Sequence, residues 1–130
     1  MKFIGEEDFK HQNKQKIGVL VCNLGTPESY QTKDVRKFLR QFLSDGRVVE
    51  IPKIIWWFIL NLIILTLRPS KSAKLYKSVW TNEGSPLLVL SKKLIEKLKI
   101  VSNHDCEIEL AMRYGNPNME QALMSLKDKN

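Results

Sequence analysis

"IGVLVCNLGTP", Ile17 to Pro27, decides the fold. Ile17-Gly18-Val19-Leu20-Val21-Cys22 is a continuous apolar, β-branched run without polar alternation, and it stops at Gly25-Thr26-Pro27. Such a run reads as a strand buried on both faces of a parallel sheet, followed by a turn. The next segment switches to helical spacing: Val35, Phe38, Leu39, Phe42 and Leu43 fall at i, i+3, i+4, i+7 and i+8, with Thr32 placed to cap and Asp45-Gly46 to end the helix. A second strand follows much later. Cys106, Ile108, Leu110 and Met112 alternate with Glu107 and Glu109, as expected of an edge or partly solvated strand. The order strand, helix, helices, strand, helix defines an α/β unit on a parallel sheet. Two strands are too few for such a sheet, and the chain stops at Lys127-Asp128-Lys129-Asn130, where another is expected, so the unit reads as a first domain, incomplete.

Between the strands, Ser70 or Ser72 is placed to cap a helix carrying Ala73, Tyr76, Val79 and Trp80 on one face. Ser85, with Pro86 at the first helical position, starts another through Leu87, Leu90, Leu94, Ile95 and Leu98. The polar turn Ser102-Asn103-His104-Asp105 precedes the second strand. Asn116-Pro117 opens a last helix with Met119, Ala122, Leu123 and Leu126. Residues 1–16 read as a flexible polar extension and 17–130 as the domain.

The 130 residues include 43% hydrophobic residues, enough for the core of one domain. The net charge of +7 is spread over helical patterns and not gathered in one stripe, so it reads as solvated faces, with no nucleic acid as partner. Cys22 and Cys106 are far apart and lie in no CxxC or His-rich setting, which favours reduced thiols over a disulfide framework or zinc site. The opening MKFIGEEDFKHQNKQK has acidic residues where a signal peptide needs an apolar segment, so cytoplasmic residence is expected.

"IIWWFILNLIILTL", Ile54 to Leu67, is a fourteen-residue run without a charge. A spanning helix needs roughly 20 apolar residues, whereas fourteen cover only about 21 Å, so crossing a bilayer is not expected. Trp56 and Trp57, with Lys53 and Arg68 at the ends, would still suit a bilayer surface.

In open α/β sheets ligands sit beyond the carboxyl ends of the strands, which points to Asn23-Leu24-Gly25-Thr26-Pro27 and Arg113-Tyr114-Gly115-Asn116-Pro117. The first loop has neither GxGxxG nor GKS/T, so it is a plain turn or a site of another kind. Arg113, a cation at the end of a strand, calls for an anionic partner: a protein carboxylate or a ligand. Arg68 and Tyr76 pair a cation and a phenol near greasy surface, either as helix-end cation and core tyrosine or as ligand contacts. His11 and His104 have no carboxylate at catalytic spacing and read as surface histidines.

Four ordered stretches, "VLVCNLGTPES" (19–29), "FLSDGRVVEIP" (42–52), "LRPSKSAKLYKSVWTNEGSPL" (67–87) and "AMRYGNPNMEQAL" (111–123), resemble the amino-terminal part of ferrochelatases over Ile17 to Leu126. The likeness is to the protoporphyrin type of Gram-negative bacteria; the coproporphyrin type usually has tyrosine at the position of Leu24. The resemblance implies a Rossmann-like chelatase domain and an enzyme, a metal chelatase (lyase), that inserts ferrous iron into protoporphyrin IX in the last step of haem biosynthesis. It implies that residues 53–67 form an apolar lip over the macrocycle cleft, with Ile54 to Leu67 supplying the greasy slot for the porphyrin plate. It implies that Arg68, Tyr76 and Ser85 hold the propionates, that Asn23 and Leu24 lie against one macrocycle face, and that Arg113 and Tyr114 line the pocket interior. The family's proton-accepting histidine and glutamate, and any iron-sulfur cluster, match nothing in this chain, so it carries no cofactor of its own; iron enters as substrate. The isolated fragment is expected to be inactive. The location implied is cytoplasmic, with peripheral contact at the inner membrane. A non-catalytic porphyrin-binding or membrane-surface module is the alternative.

Overall fold

A computed structural model describes residues 17–102 and 106–129. The extension 1–16, His11, and the turn residues 103–105 with His104 lie outside the described residues.

The apolar run forms β1 (Ile17–Gly25), three residues longer than its hydrophobic signal, and β2 covers Cys106–Tyr114. They pair in parallel, from Ile17 opposite Cys106 to Gly25 opposite Tyr114. Parallel partners share a face, so Val19 and Val21 join Ile108, Leu110 and Met112 on one side. There they pack with Ile95, Leu87 and Leu98 of the helix Pro86–Val101 to make the core. The opposite side, with Gly18, Glu109 and Ala111, receives the last helix, Met119–Asp128. Leu126 lies against Gly18, and Glu109 accepts from Ser125 (3.0 Å) and binds Lys129.

β1 is not buried on both faces as its composition predicts. Ile17, Cys22, Asn23 and Leu24 are exposed, and Val19 to Val21 are half-buried. Both sides of the sheet meet a helix, but β1 has one strand neighbour among the described residues and so keeps an open edge. β2, expected to be the more solvated strand, is the better covered, with Ala111 fully buried beside Ile108, Leu110 and Met112.

Helix α1 (Thr32–Leu43) follows its apolar spacing, burying Val35 and Phe38. Thr32 does not cap it. Gln31 is the residue before the first turn and offers no side-chain cap; instead Ser29 accepts the Gln31 N–H and donates to Asp34.

The largest departure is the apolar run. It does not end at Arg68-Pro69, and neither Ser70 nor Ser72 starts a helix. α2 (Lys53–Phe58), a π-helical segment (Ile59–Ile64) and α3 (Leu65–Val79) run on as 27 continuous residues. Pro69 cannot donate to the Leu65 carbonyl and its ring crowds that group. The backbone widens into the π segment one turn earlier, and the chain stays helical through the proline. By length and composition this helix could cross a membrane, contrary to the expectation from fourteen residues alone. It lies, however, against the domain: Leu60, Leu65, Pro69 and Ala73 are buried, α3 packs on α1, and Trp56 donates its indole N–H to the Leu43 carbonyl (2.7 Å).

Ser85 does precede α4 (Pro86–Val101), with Pro86 at its start, but its hydroxyl does not bond the helix. The last helix, α5 (Met119–Asp128), begins after Asn118, two residues later than expected, because Asn118 and Gln121 form a reciprocal capping box.

Candidate functional site

At the carboxyl end of β1 a cleft of about 450 Å³ opens, lined by Leu24, Gly25 and Thr26, by Phe38, Leu39 and Phe42 of α1, by Tyr76 and Val79 of α3, and by Ser85 to Leu87. Its walls are mostly apolar for a local reason. α1 and α3 cross through an aromatic series, with Phe38 stacked on Phe42 (6.0 Å) and edge-on to Tyr76 (6.4 Å), and Tyr76 edge-on to Trp80 (6.3 Å). Each such pair contributes about 0.5–1.5 kcal/mol beyond burial, so the wall is stiff without a ligand.

Three hydroxyl side chains line it: Thr26, Tyr76 and Ser85. Ser85 is buried and accepts a hydrogen bond from the Thr26 hydroxyl (2.8 Å). Tyr76 is half-buried, and burial pushes its phenol above the ordinary value, so it stays a neutral donor.

Of the residues singled out in the sequence, the cleft brings together Leu24, Tyr76 and Ser85. Asn23 is committed to the fold: its amide donates to Ser91 (3.0 Å) and its oxygen accepts from the Leu24 N–H (2.7 Å), which sets the pose of that loop. Arg68 stands on the exposed face of α3, two turns before Tyr76, and no hydrogen bond or ion pair to it is seen among the described residues.

Arg113 and Tyr114 occupy a neighbouring depression with Gln41, Ser44 and Asp45. The anionic partner that Arg113 calls for is here a protein carboxylate: Asp45 accepts from Arg113 (2.7 Å) and from the Tyr114 hydroxyl (3.0 Å). The backbone N–H of Arg47, then Arg113, hold the Asp45 carboxyl down to about 2. A carboxylate whose folded value is depressed adds stability that is complete above about pH 4 and lost as pH falls through about 2. Asp45 is therefore charged at every physiological pH. The Tyr114 ring, buried, stands edge-on to Phe42 (5.2 Å), which separates this depression from the cleft.

Phe38, Phe42 and Asp45 join the site without a sequence signal of their own. The two phenylalanines read as an ordinary helix face and Asp45 as a helix stop; the width of the apolar face of α1 is the one available hint. Among the described residues no three His, Cys, Asp or Glu side chains gather as a metal ligand set, and Cys22 and Cys106 are free thiols.

A parallel α/β unit with an apolar cleft at the carboxyl end of its strands, flanked by a long exposed helix, is a Rossmann-like α/β domain. The family model for ferrochelatase matches residues 16–130, and the chain belongs to the ferrochelatase family. The ferrochelatase of Alcanivorax borkumensis is 50% identical over 99% of this chain and 39% of its own length. That of Thioalkalivibrio sulfidiphilus is 50% identical over 98% of this chain and 36% of its own, and that of a Marinomonas strain 52% over 91% and 37%. The chain thus spans less than two-fifths of the length of these curated relatives.

Proposed function

We propose that this chain is the porphyrin-gripping part of an enzyme that inserts ferrous iron into protoporphyrin IX to give protohaem. The cleft carries the reading. A porphyrin is a large apolar plate with two carboxylates, and it needs an apolar slot with a few cations and hydroxyls at the rim. Leu24, Phe38, Phe42 and Val79, and not Ile54 to Leu67, none of which lines this cleft, supply the slot, Tyr76 and Ser85 the hydroxyls, and its volume of about 450 Å³ falls in the range of small-molecule sites. Arg68, uncommitted to the fold, is left for a propionate; Arg113 and Tyr114 stand behind the Phe42 wall. Asn23 acts through the Leu24 loop. Removal of the pyrrole protons is assigned to no residue of this chain, since neither His11 nor His104 has a carboxylate at catalytic spacing.

Replacing Arg68 with Ala in the complete protein should weaken protoporphyrin binding about ten- to a hundredfold, the worth of a hydrogen bond to a charged group, with thermal stability unchanged. Fluorescence titration and a thermal melt measure both. Lost stability with unchanged affinity would return Arg68 to a helix-end role. Full porphyrin affinity without iron insertion by the complete protein would identify a non-catalytic porphyrin-binding module.

The exposed side of the lip, Ile54, Ile55, Trp57, Phe58, Leu62, Ile63 and Leu67, suits peripheral contact with the inner membrane from the cytoplasm. The α3 end of this helix packs on α1 and Trp56 is tied to the Leu43 carbonyl, which favours lying in the surface over spanning. Salt or mild detergent should then release the complete protein; retention through alkaline carbonate extraction would overturn the surface reading.

A further inference from the structure

We propose that Asp45 is a positioning residue, holding Arg113 and Tyr114 in the poses that brace, through Phe42, one wall of the apolar cleft. The inference rests on the porphyrin reading above. Asp45 follows the end of α1 and lies 68 and 69 residues from the two groups it binds. Its Oδ2 accepts from both Arg113 Nη2 and Tyr114 Oη, while its Oδ1 accepts from the Arg47 N–H (2.9 Å). One carboxylate therefore organises three donors from two ends of the domain.

The consequence reaches the cleft through two contacts. Tyr114, pinned at its hydroxyl, presents its ring edge to Phe42, and Phe42 is cleft wall. Arg113, still 43% exposed at its side chain, lies over the Tyr114 ring at 5.7 Å and so backs the ring that meets Phe42. A second tie, from the Gly115 N–H to the Gln41 side chain (3.0 Å), joins the same two segments and does not depend on Asp45. Loss of Asp45 should therefore loosen side-chain poses more than it loosens the fold.

Asp45→Asn separates these roles. Its remaining oxygen can keep the turn by accepting from the Arg47 N–H, but it then turns an amide donor toward the donors of Arg113 and Tyr114. In the complete protein this variant should raise the porphyrin Kd and KM about three- to tenfold, kcat changing less, with the melting temperature close to wild type. The same substitution in an Arg113→Ala, Tyr114→Phe background should have almost no further effect, since Asp45 would have nothing left to position. Binding by Asp45→Asn equal to wild type overturns the proposal. So does an equal loss in both backgrounds, which would mark a general structural role. A wild-type protein that binds no porphyrin overturns the proposed function itself, and this inference with it.

Discussion

The 130 residues of this chain, made alone, should form no haem from ferrous iron and protoporphyrin, and should associate with one another. The association follows from exposed surface. Ile17, Ile54, Leu75, Leu90, Ile100 and Val101 are each 66–79% exposed, on a domain whose β1 edge is also open. Apolar area of that kind, beside unpaired strand groups, recruits other chains. The expected absence of turnover has a separate cause: among the described residues lining the cleft there is no histidine or carboxylate to act as base, so a bound porphyrin would keep its pyrrole protons. Porphyrin fluorescence could still be quenched by weak binding at Leu24, Tyr76 and Ser85. Anaerobic incubation, with haem absorbance followed against a protein-free control and light scattering alongside, measures both. Haem formation above the control and proportional to chain concentration would put the chemistry in this part of the protein, and a monodisperse monomer would show that the exposed faces are tolerated in water.

Gly25→Ala should be the most disruptive single substitution at the site. Gly25 ends β1 with φ 109°, and a methyl group there would lie 1.7 Å from the Tyr114 carbonyl oxygen. That oxygen belongs to the paired strand at the same register position, so it cannot withdraw without opening the β1–β2 junction and the cleft floor. Strain at positive φ plus a backbone clash should cost at least about 3 kcal/mol in the complete protein. Gly84 is the control: its φ is 117°, but a methyl group there would meet nothing within 4 Å, so Gly84→Ala should cost only about 1 kcal/mol. Denaturant midpoints of the two variants decide the matter. Equal effects would show that the Gly25 turn relaxes around a side chain.

The parts of the fold that are legible in the sequence are those carried by local chemistry. The switch from the Ile17–Cys22 run to the spacing of Val35, Phe38 and Phe42 marks β1 and α1, because an apolar period of 3.6 has no stable use except on a helix packed on one side. Ser85-Pro86 marks the start of α4 because proline's fixed φ and missing N–H fit a first turn. Where local signals are ambiguous, neighbours decide. Arg68-Pro69 reads as a stop, yet the helix continues, since the backbone widens into a π segment one turn before a proline that is itself fully buried. Ile17–Cys22 reads as doubly buried, yet coverage depends on what else joins the sheet.

The candidate site divides along the same line. Leu24, Tyr76 and Ser85 can be named from their stretches of chain and do meet in the cleft. Phe38 and Phe42 cannot be told from ordinary core, since one apolar helix face serves both packing and a slot. Sequence by itself determined the α/β order, the uncharged apolar run Ile54 to Leu67 and the presence of cations with something anionic to find. Only tertiary structure decided that Arg113 finds Asp45 while Arg68 finds no partner among the described residues, because a contact across 68 residues is made by the parallel pairing of β1 with β2 and the packing of α1 beside them, and no local pattern encodes it.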